Sequence, residues 1–208
     1  MRHAYDVVAE DYAAYLPDTR AEAPVDLAMV DAFSEAVASG GGGLVLDAGC
    51  GAGRMSRYLA DRGCLVTGMD LSPRMVTMAR RDHPDLTFAA GSLDALPFAD
   101  DALAGVLLWY SIIHTPVAGL ARIFEETARV LRPGGHVLVG FQSGEGPRDV
   151  SWAYRVFGHE IALQRYLRTP DQVAARMKAA GLREVCRLVR RAHGNEKDDQ
   201  TFLLAEVG

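Results

Sequence analysis

VLDAGCGAGR, residues 45–54, decides the fold of this chain, because an apolar run there enters a cluster of glycines that opens a helix. Glycines permit a tight turn and let a ligand approach the backbone closely, and the free N–H groups of a helix start favour a polar or anionic ligand. Asp70 ends the next apolar run about 20 residues later, where an acid commonly binds ribose hydroxyls. Together they predict a site for an adenosine-containing ligand.

The chain on both sides of this loop alternates between strand-like and helix-like stretches. Short apolar or β-branched runs bounded by Gly, Pro or Asp predict strands at residues 44–46, 65–67, 86–88, 104–109 and 136–141. Helical patterns lie between them, at 54–62, 73–82 and 120–131. This order of strands and helices predicts a parallel sheet.

The end of the chain departs from that alternation. A helix is expected to begin at Thr169, which can cap it, and to close near Gly181. Two strand-like runs follow, 184–189 and 201–207, and are expected to pair as a hairpin at the sheet edge. The predicted fold is therefore α/β, a Rossmann-like, doubly wound, mostly parallel seven-stranded sheet with an antiparallel C-terminal hairpin.

Two segments fall outside the alternating core, an amphipathic start and an aromatic, basic stretch at 142–168. Ligands of open α/β sheets bind beyond the carboxyl ends of the strands. We expect a single domain, 1–208, in which residues 1–20 form an N-terminal cap and 142–168 form a lid over the site.

Composition is that of an ordinary globular protein, with 49% apolar and 24% charged residues in a chain of 208. The three cysteines are widely spaced and the six histidines are scattered, so neither a disulfide framework nor a metal site is expected. A net charge of −5 argues against nucleic acid as a partner. No apolar run is long enough to span a membrane, so we expect a cytoplasmic protein, monomeric or homodimeric.

The glycine spacing distinguishes between adenosine cofactors. A dinucleotide fingerprint, G-x-G-x-x-G, requires glycine at position 54, which is Arg54, whereas this loop reads G-x-G-x-G and follows Asp47. In this loop and in Asp70 the chain resembles the class I S-adenosylmethionine (SAM)-dependent methyltransferases, small bacterial members in particular. Similar stretches extend from residue 40 to 141, including GSLDALPF at 91–98 and ARVLRPGGHVLV at 128–139.

The resemblance implies a SAM site, and S-adenosylhomocysteine as the product that leaves it. Asp47 and the glycine loop would lie along the methionine part, Asp70 on the ribose, and Leu71 and Met75 beside the adenine. The cofactor-binding residues predicted in this way are Tyr12, Asp47, Gly49, Cys50, Gly51, Arg54, Asp70, Leu71, Met75, Ser92, Leu93 and Trp109. Tyr12 would reach the SAM carboxylate, and Arg54 would either pair with that carboxylate or be solvated.

Two positions depart from the family pattern. Members often carry an acid after the glycine of the adenine-binding loop, where this chain has Ser92; the backbone of Ser92 and Leu93 is expected to replace it, with the Ser92 or Asp94 side chain as alternatives. Ala104 stands where many members have an acid, and that change is expected to affect local packing only.

Methyl transfer from a sulfonium needs donor and acceptor held in line and water excluded, and it needs a base only if the acceptor arrives protonated. His114 follows the fourth predicted strand and has a side chain that ordinarily titrates near neutrality, so it is the candidate catalytic base. The alternative is that His114 only packs against or caps the next turn. Tyr5 is expected to pack a helix on the domain.

The acceptor is expected to be a small molecule. Its wall is predicted in the lid, where aromatic and basic side chains are concentrated: Trp152, Tyr154, Arg155, Phe157, His159, Arg165 and Tyr166. The same segment could instead be a helix that connects the core elements. Two other functions remain open, an NAD(P)-dependent oxidoreductase and a non-catalytic SAM-binding protein.

Overall fold

A computed structural model describes residues 1–155 and 157–208 and contains a central seven-stranded sheet. Its strands, in chain order, are β1 Leu44–Ala48, β2 Leu65–Asp70, β3 Thr87–Ala90, β4 Leu103–Trp109, β5 Leu131–Ser143, β8 Leu182–Arg190 and β9 Asp199–Val207, while β6 Gly146–Asp149 and β7 Gln164–Leu167 form a separate two-stranded ribbon. The helices are α1 Arg2–Tyr15, α2 Pro24–Ser39, α3 Arg54–Ala60, α4 Pro73–Asp82, α5 Val117–Val130, α6 Trp152–Arg155 and α7 Pro170–Ala179.

The strand order is β3-β2-β1-β4-β5-β9-β8, and every pair is parallel except those made by β9. The expected Rossmann-like sheet with a C-terminal antiparallel hairpin is therefore confirmed. β9 lies between β5 and β8, so the hairpin enters the sheet with one strand fully paired on both sides.

Alternating side chains of the strands build a core on each face of the sheet. Val45 and Leu107 pack with α2 and α3 on one face, whereas Leu46 and Leu108 pack with α5 and α7 on the other. This two-residue alternation follows from the pleat, which points successive side chains to opposite faces. Because both faces are covered, the central strands read as continuous apolar runs.

Side-chain caps mark the starts of α4 and α7. The Ser72 hydroxyl accepts from the Met75 backbone N–H and begins α4, with Pro73 in the first turn. Thr169 makes a capping box with Gln172, which confirms its expected role at the start of α7.

Several boundaries and one segment differ from expectation. β5 begins at Leu131, directly after α5, rather than at 136, because residues 131–135 continue the extended backbone. The sequence patterns did not single out α2, which buries Val30, Phe33 and Val37 at helical spacing. The described residues of segment 142–168 do not form a connecting helix: they contain the two strands of the ribbon and the short α6 between them. Residue 156 in that segment lies outside the described residues.

α1 and the ribbon are both anchored over the carboxyl edge of the sheet. Ala4 of α1 is buried against Val150 and Leu163 beside the ribbon. Arg168, 2% exposed, donates to the backbone carbonyls of Ile112 and Thr115, and so fixes the ribbon to the turn after β4. Among the described residues, no helix has the length and apolarity needed to cross a bilayer.

Candidate active site

A cavity of about 460 Å³ opens at the carboxyl ends of β1, β2 and β4 and is covered by α1, the ribbon and the loop before β9. A smaller cavity of about 40 Å³ adjoins it behind the glycine loop. Predicted site residues in the lining of the larger cavity are Tyr12, Gly49, Gly51, Arg54, Asp70, Leu71, Met75, Leu93, Trp109 and His114. Asp47 and Cys50 line the smaller one.

Asp70 fastens the glycine loop to the next turn of the chain. One carboxylate oxygen accepts from the Gly51 backbone N–H at 2.9 Å, and the other accepts from the Ser72 backbone N–H at 2.8 Å. Burial raises the pKa of the Asp70 carboxyl, and these backbone donors oppose that rise. Each oxygen retains a lone pair for a ligand hydroxyl.

The glycines of the loop are required by geometry. Gly49 has φ +84°, and a Cβ there would lie 2.3 Å from the Ser111 Cβ. Gly51, at φ +54°, faces the Tyr12 ring, which a Cβ would meet at 3.9 Å. The loop therefore presents bare backbone to the cavity, as the sequence pattern predicts.

Asp47 is buried directly beneath the loop. It is 1% exposed and accepts a hydrogen bond of 2.6 Å from the Ser56 hydroxyl of α3. Desolvation raises the pKa of Asp47 to about 6, with the Ser56 bond and Arg54 opposing the shift. A cationic group entering the adjoining cavity would favour the ionised carboxylate.

Arg54 is not solvated, so the alternative that its side chain is simply exposed to water is excluded. Its side chain is 12% exposed and forms an ion pair with Glu22, whose side chain is 9% exposed. Both line the main cavity, and Tyr12 lies beside Arg54. An arginine held in this way can bind an anionic ligand group without first being ordered.

His114 lines the cavity, but its surroundings differ from those of a near-neutral base. Nδ1 lies 2.6 Å from the backbone carbonyl of Gln164, so it carries the proton of the neutral ring, and Nε2 then accepts from the Tyr5 hydroxyl at 2.9 Å. Burial lowers the pKa of His114 to about 4. The expectation of a near-neutral pKa is wrong because α1 and the ribbon cover the ring.

The carboxyl ends of β4 and β5 supply further polar atoms to the cavity wall. Trp109 stacks on Phe202 with ring centroids 4.8 Å apart, and its Nε1 is buried without a partner among the described residues. Ser111 Oγ and Gln142 Oε1 are likewise buried without a hydrogen-bond partner among the described residues. Tyr110 has φ +55°, an uncommon backbone conformation for a non-glycine residue, and its hydroxyl donates to Gln200 Oε1 at 2.8 Å. Strain and unpaired polar groups of this kind concentrate at functional sites.

The predicted adenine-binding residues are only partly brought together. Leu71, Met75 and Leu93 line the cavity. Ser92 does not belong to the described lining of either cavity, and its hydroxyl donates to Asp94. The structure therefore places apolar side chains at this end and directs the Ser92 side chain elsewhere.

The predicted acceptor wall is reduced to three of its seven residues, Trp152, Tyr154 and Arg165, which line the cavity. His159 instead contacts Asp11 at 2.6 Å, and Phe157 packs edge-on against Tyr15. Both contacts hold α1 to the segment after α6. Tyr5, expected only to pack, reaches the cavity and binds His114.

Several lining residues carry no local sequence signal. Glu22 lies in the connection between α1 and α2, and Arg148 and Asp198 lie in the ribbon and in the loop before β9. Only the tertiary fold brings them to the cavity. Among the described residues, no group of three His, Cys, Asp or Glu side chains is arranged to hold a metal ion.

The chain is similar to known methyltransferases. A family model described as a methyltransferase domain matches residues 45–135. A malonyl-(acyl-carrier protein) O-methyltransferase of Enterobacter lignolyticus (strain SCF1) is 32% identical over 123 residues, which is 59% of this chain and 48% of that protein. A demethylmenaquinone methyltransferase of Beutenbergia cavernae is 41% identical over 97 residues, 46% of this chain and 39% of that protein. The chain thus spans about half the length, or less, of the curated relatives it matches.

Solved structures share the fold. The SAM-dependent methyltransferase from Mesorhizobium loti superposes with a TM-score of 0.64 at 20% identity, over 79% of this chain and 91% of that one. Magnesium protoporphyrin IX methyltransferase from Synechocystis PCC 6803, solved with bound SAM, gives a TM-score of 0.65 at 20% identity, over 88% and 79% of the respective chains.

The steric demand at Gly49 can be measured against a matched glycine. Gly63 has φ +83°, almost the same as Gly49, but a Cβ there meets nothing within 4 Å. Gly63→Ala should therefore lower the free energy of unfolding by about 1–2 kcal/mol, which is the cost of holding a non-glycine residue in the left-handed conformation. Gly49→Ala should lower the free energy of unfolding in urea by at least about 1 kcal/mol more, because the new methyl overlaps Ser111. Equal losses would mean that the loop has room for a side chain.

The protonation of His114 can be followed by NMR. The imidazole resonances that disappear in His114→Gln identify His114 among the six histidines. We expect them to titrate with a midpoint of about 4. A midpoint near the ordinary value of about 6.5 would contradict the burial of the ring beneath Tyr5.

Proposed function

We propose that this chain is a class I SAM-dependent methyltransferase, as its similarity to that family suggests, and that it transfers a methyl group from SAM to a small-molecule acceptor held in the same cavity. The observation that carries the proposal is that one cavity joins the glycine loop and Asp70 to a separate wall made by the ribbon. Its volume of about 460 Å³ falls in the range of small-molecule sites.

The residues at the sheet edge fit SAM by their chemistry. Gly49 and Gly51 present bare backbone to the cavity, and Asp70 has lone pairs for the two ribose hydroxyls. Arg54 and Tyr12 offer donors to a carboxylate. Asp47 is buried beside the loop, where the methionine ammonium would stabilise its ionised form. Leu71, Met75 and Leu93 would flank the adenine. In this proposal the Arg54–Glu22 ion pair is kept, and other N–H groups of the Arg54 guanidinium bind the ligand carboxylate.

Bound SAM supplies a methyl group already activated by its sulfonium. The protein's contribution is then to fix the acceptor in line with that bond and to exclude water. α1 and the ribbon cover the cavity, and they are tied together through the Tyr5–His114 hydrogen bond. Covering of this kind protects the donor and strengthens the electrostatic interactions inside the cavity.

For an acceptor that arrives as a hydroxyl, Tyr5 and His114 form the proposed route for its proton. The Tyr5 oxygen can accept from the acceptor while its own hydrogen bonds to His114 Nε2. With a pKa of about 4, His114 is a weak base, but it is neutral and ready to accept at physiological pH. In this arrangement Tyr5 contacts the acceptor, and His114 acts through Tyr5.

We favour a small molecule over nucleic acid because the formal net charge is −5 and the cavity combines aromatic and apolar side chains with a few charged groups. The direct test is calorimetric titration with SAM and with NADH, followed by detection of S-adenosylhomocysteine in incubations with panels of small acceptors. Binding of NADH without binding of SAM would contradict the proposal. Binding of SAM without turnover on any acceptor would favour a non-catalytic SAM-binding protein.

Asp70 provides the sharpest test of the SAM site. Asp70→Ala should weaken SAM binding by roughly 1–3 kcal/mol, because it removes charge-assisted hydrogen bonds to the ribose and loosens the loop. Asp61→Ala, which removes an exposed acid paired with Arg57, is the control and should leave SAM affinity unchanged.

A double-mutant cycle separates the ribose contact from the effect on the loop. An S-adenosylhomocysteine analogue lacking both ribose hydroxyls should bind the unaltered protein more weakly than S-adenosylhomocysteine does. In Asp70→Ala that difference should largely disappear, because the carboxylate that distinguishes the two ligands is gone. A difference of the same size in both proteins would reject the ribose role of Asp70.

A further inference from the structure

The ribbon places two arginines directly opposite each other. Arg148 of β6 and Arg165 of β7 are cross-strand partners, and both line the cavity. Like charges at such positions destabilise a strand pair. A compensating anion would therefore stabilise this ribbon of only four residues a strand.

The chain supplies only part of that compensation. Asp198, whose side chain is 4% exposed, accepts from both guanidinium groups, from Arg165 at 3.1 Å. These are the only hydrogen bonds that either guanidinium makes with the described residues, so most of the donors of both remain available. One carboxylate balances one of the two positive charges.

No neighbouring acid in the described part of the cavity wall completes the balance. Glu196 also lines the cavity, but both of its oxygens accept from Arg190, which in turn is paired with buried Asp26. Lys197 adds another positive charge at the same end. The wall made by the ribbon and the loop before β9 is thus electropositive beyond its own carboxylates.

Apolar surface adjoins these charges. Val150 is buried beside the ribbon, and Trp152 lines the cavity while 54% of its surface stays exposed. Tyr154 continues the same wall. A large aromatic side chain left partly open at a cavity is typical of a surface that a ligand covers.

From this arrangement we propose that the methyl acceptor carries a carboxylate, which binds between Arg148 and Arg165, and an apolar or aromatic body, which packs on Val150 and Trp152. This inference rests on the proposed function, since it assigns the acceptor half of the same cavity. A single carboxylate matches the one unbalanced charge of the arginine pair. Asp198 orients both guanidinium groups and competes with the acceptor for them.

The test uses the full chain saturated with S-adenosylhomocysteine and a panel of aryl carboxylates, each compared with its uncharged primary amide, with naphthoate and naphthamide as the reference pair. Affinities are measured by ligand-observed NMR and calorimetry. The carboxylate should bind about tenfold more tightly than the amide, the effect of one charge-assisted pair. If no carboxylate of the panel binds better than its amide, the proposal is overturned, and this result depends on no variant.

Variants then test whether the preference for the carboxylate over the amide depends on the arginine pair. Arg165→Gln should abolish most of it while leaving the affinity for S-adenosylhomocysteine within about twofold, a change well below that of one lost charged hydrogen bond. Arg155→Gln is the matched control, because Arg155 lies in the same segment, is exposed and does not line the cavity. A loss of S-adenosylhomocysteine binding in Arg165→Gln, with naphthoate binding unchanged, would overturn the assignment.

Asp198→Asn distinguishes recognition from a purely structural role. Removing the internal competitor frees both guanidinium groups, so naphthoate should bind more tightly, whereas a merely structural Asp198 would give weaker binding or none. Failure of the protein to bind S-adenosylhomocysteine at all would reject the proposed function instead, and the two failures are therefore distinguishable.

Discussion

The two hydrogen bonds that Asp70 accepts hold together the part of the cavity that we propose binds SAM. They join the glycine loop after β1 to the turn that begins α4, two segments that meet because β1 and β2 are parallel neighbours. Burying this carboxylate is costly, as its raised pKa records, and the backbone donors offset that cost only while the loop keeps its shape. The glycine loop and the acid therefore support each other, because the loop supplies a backbone donor to the carboxylate and the carboxylate holds the loop to the next turn.

This half of the site was readable from the sequence because its determinants are local. A strand, a glycine loop and a helix follow one another directly, and the acid ends the next strand, so a parallel sheet brings them together without further information. The alternation of strands and helices also predicted the parallel sheet, and the two strand-like runs at the end of the chain predicted the antiparallel hairpin. The sequence patterns did not single out α2, although Phe33 and Val37 are buried at helical spacing. They did not predict the ribbon either, because β6 is exposed and neither of its short strands has an apolar alternation.

The other half depends on contacts between distant parts of the chain. Glu22 pairs with Arg54, Tyr5 with His114, and Asp198 with Arg148 and Arg165, and no spacing in the sequence signals any of these pairs. Burial then changes the chemistry of the groups involved. The pKa of His114 is lowered to about 4 because α1 and the ribbon cover it, so a residue type that suggests a neutral-pH base becomes a weak base held in one tautomer. The identity of a side chain indicated the site, but only its surroundings determine what that side chain can do.

The two halves are also built from different parts of the architecture. The proposed SAM-binding half lies at the carboxyl ends of the central strands. A change in Gly49 or Asp70 there disturbs the packing of strands and helices. The acceptor half lies on a ribbon between β5 and α7 and on the loop before β9, both of which project from the carboxyl edge of the sheet. Side chains on such projections can be exchanged at little cost to the core, since few core contacts depend on them. The charge left over on the arginine pair is therefore best explained by ligand recognition rather than by stability, because Asp198 alone does not neutralise it and the fold gains nothing from keeping two like charges face to face.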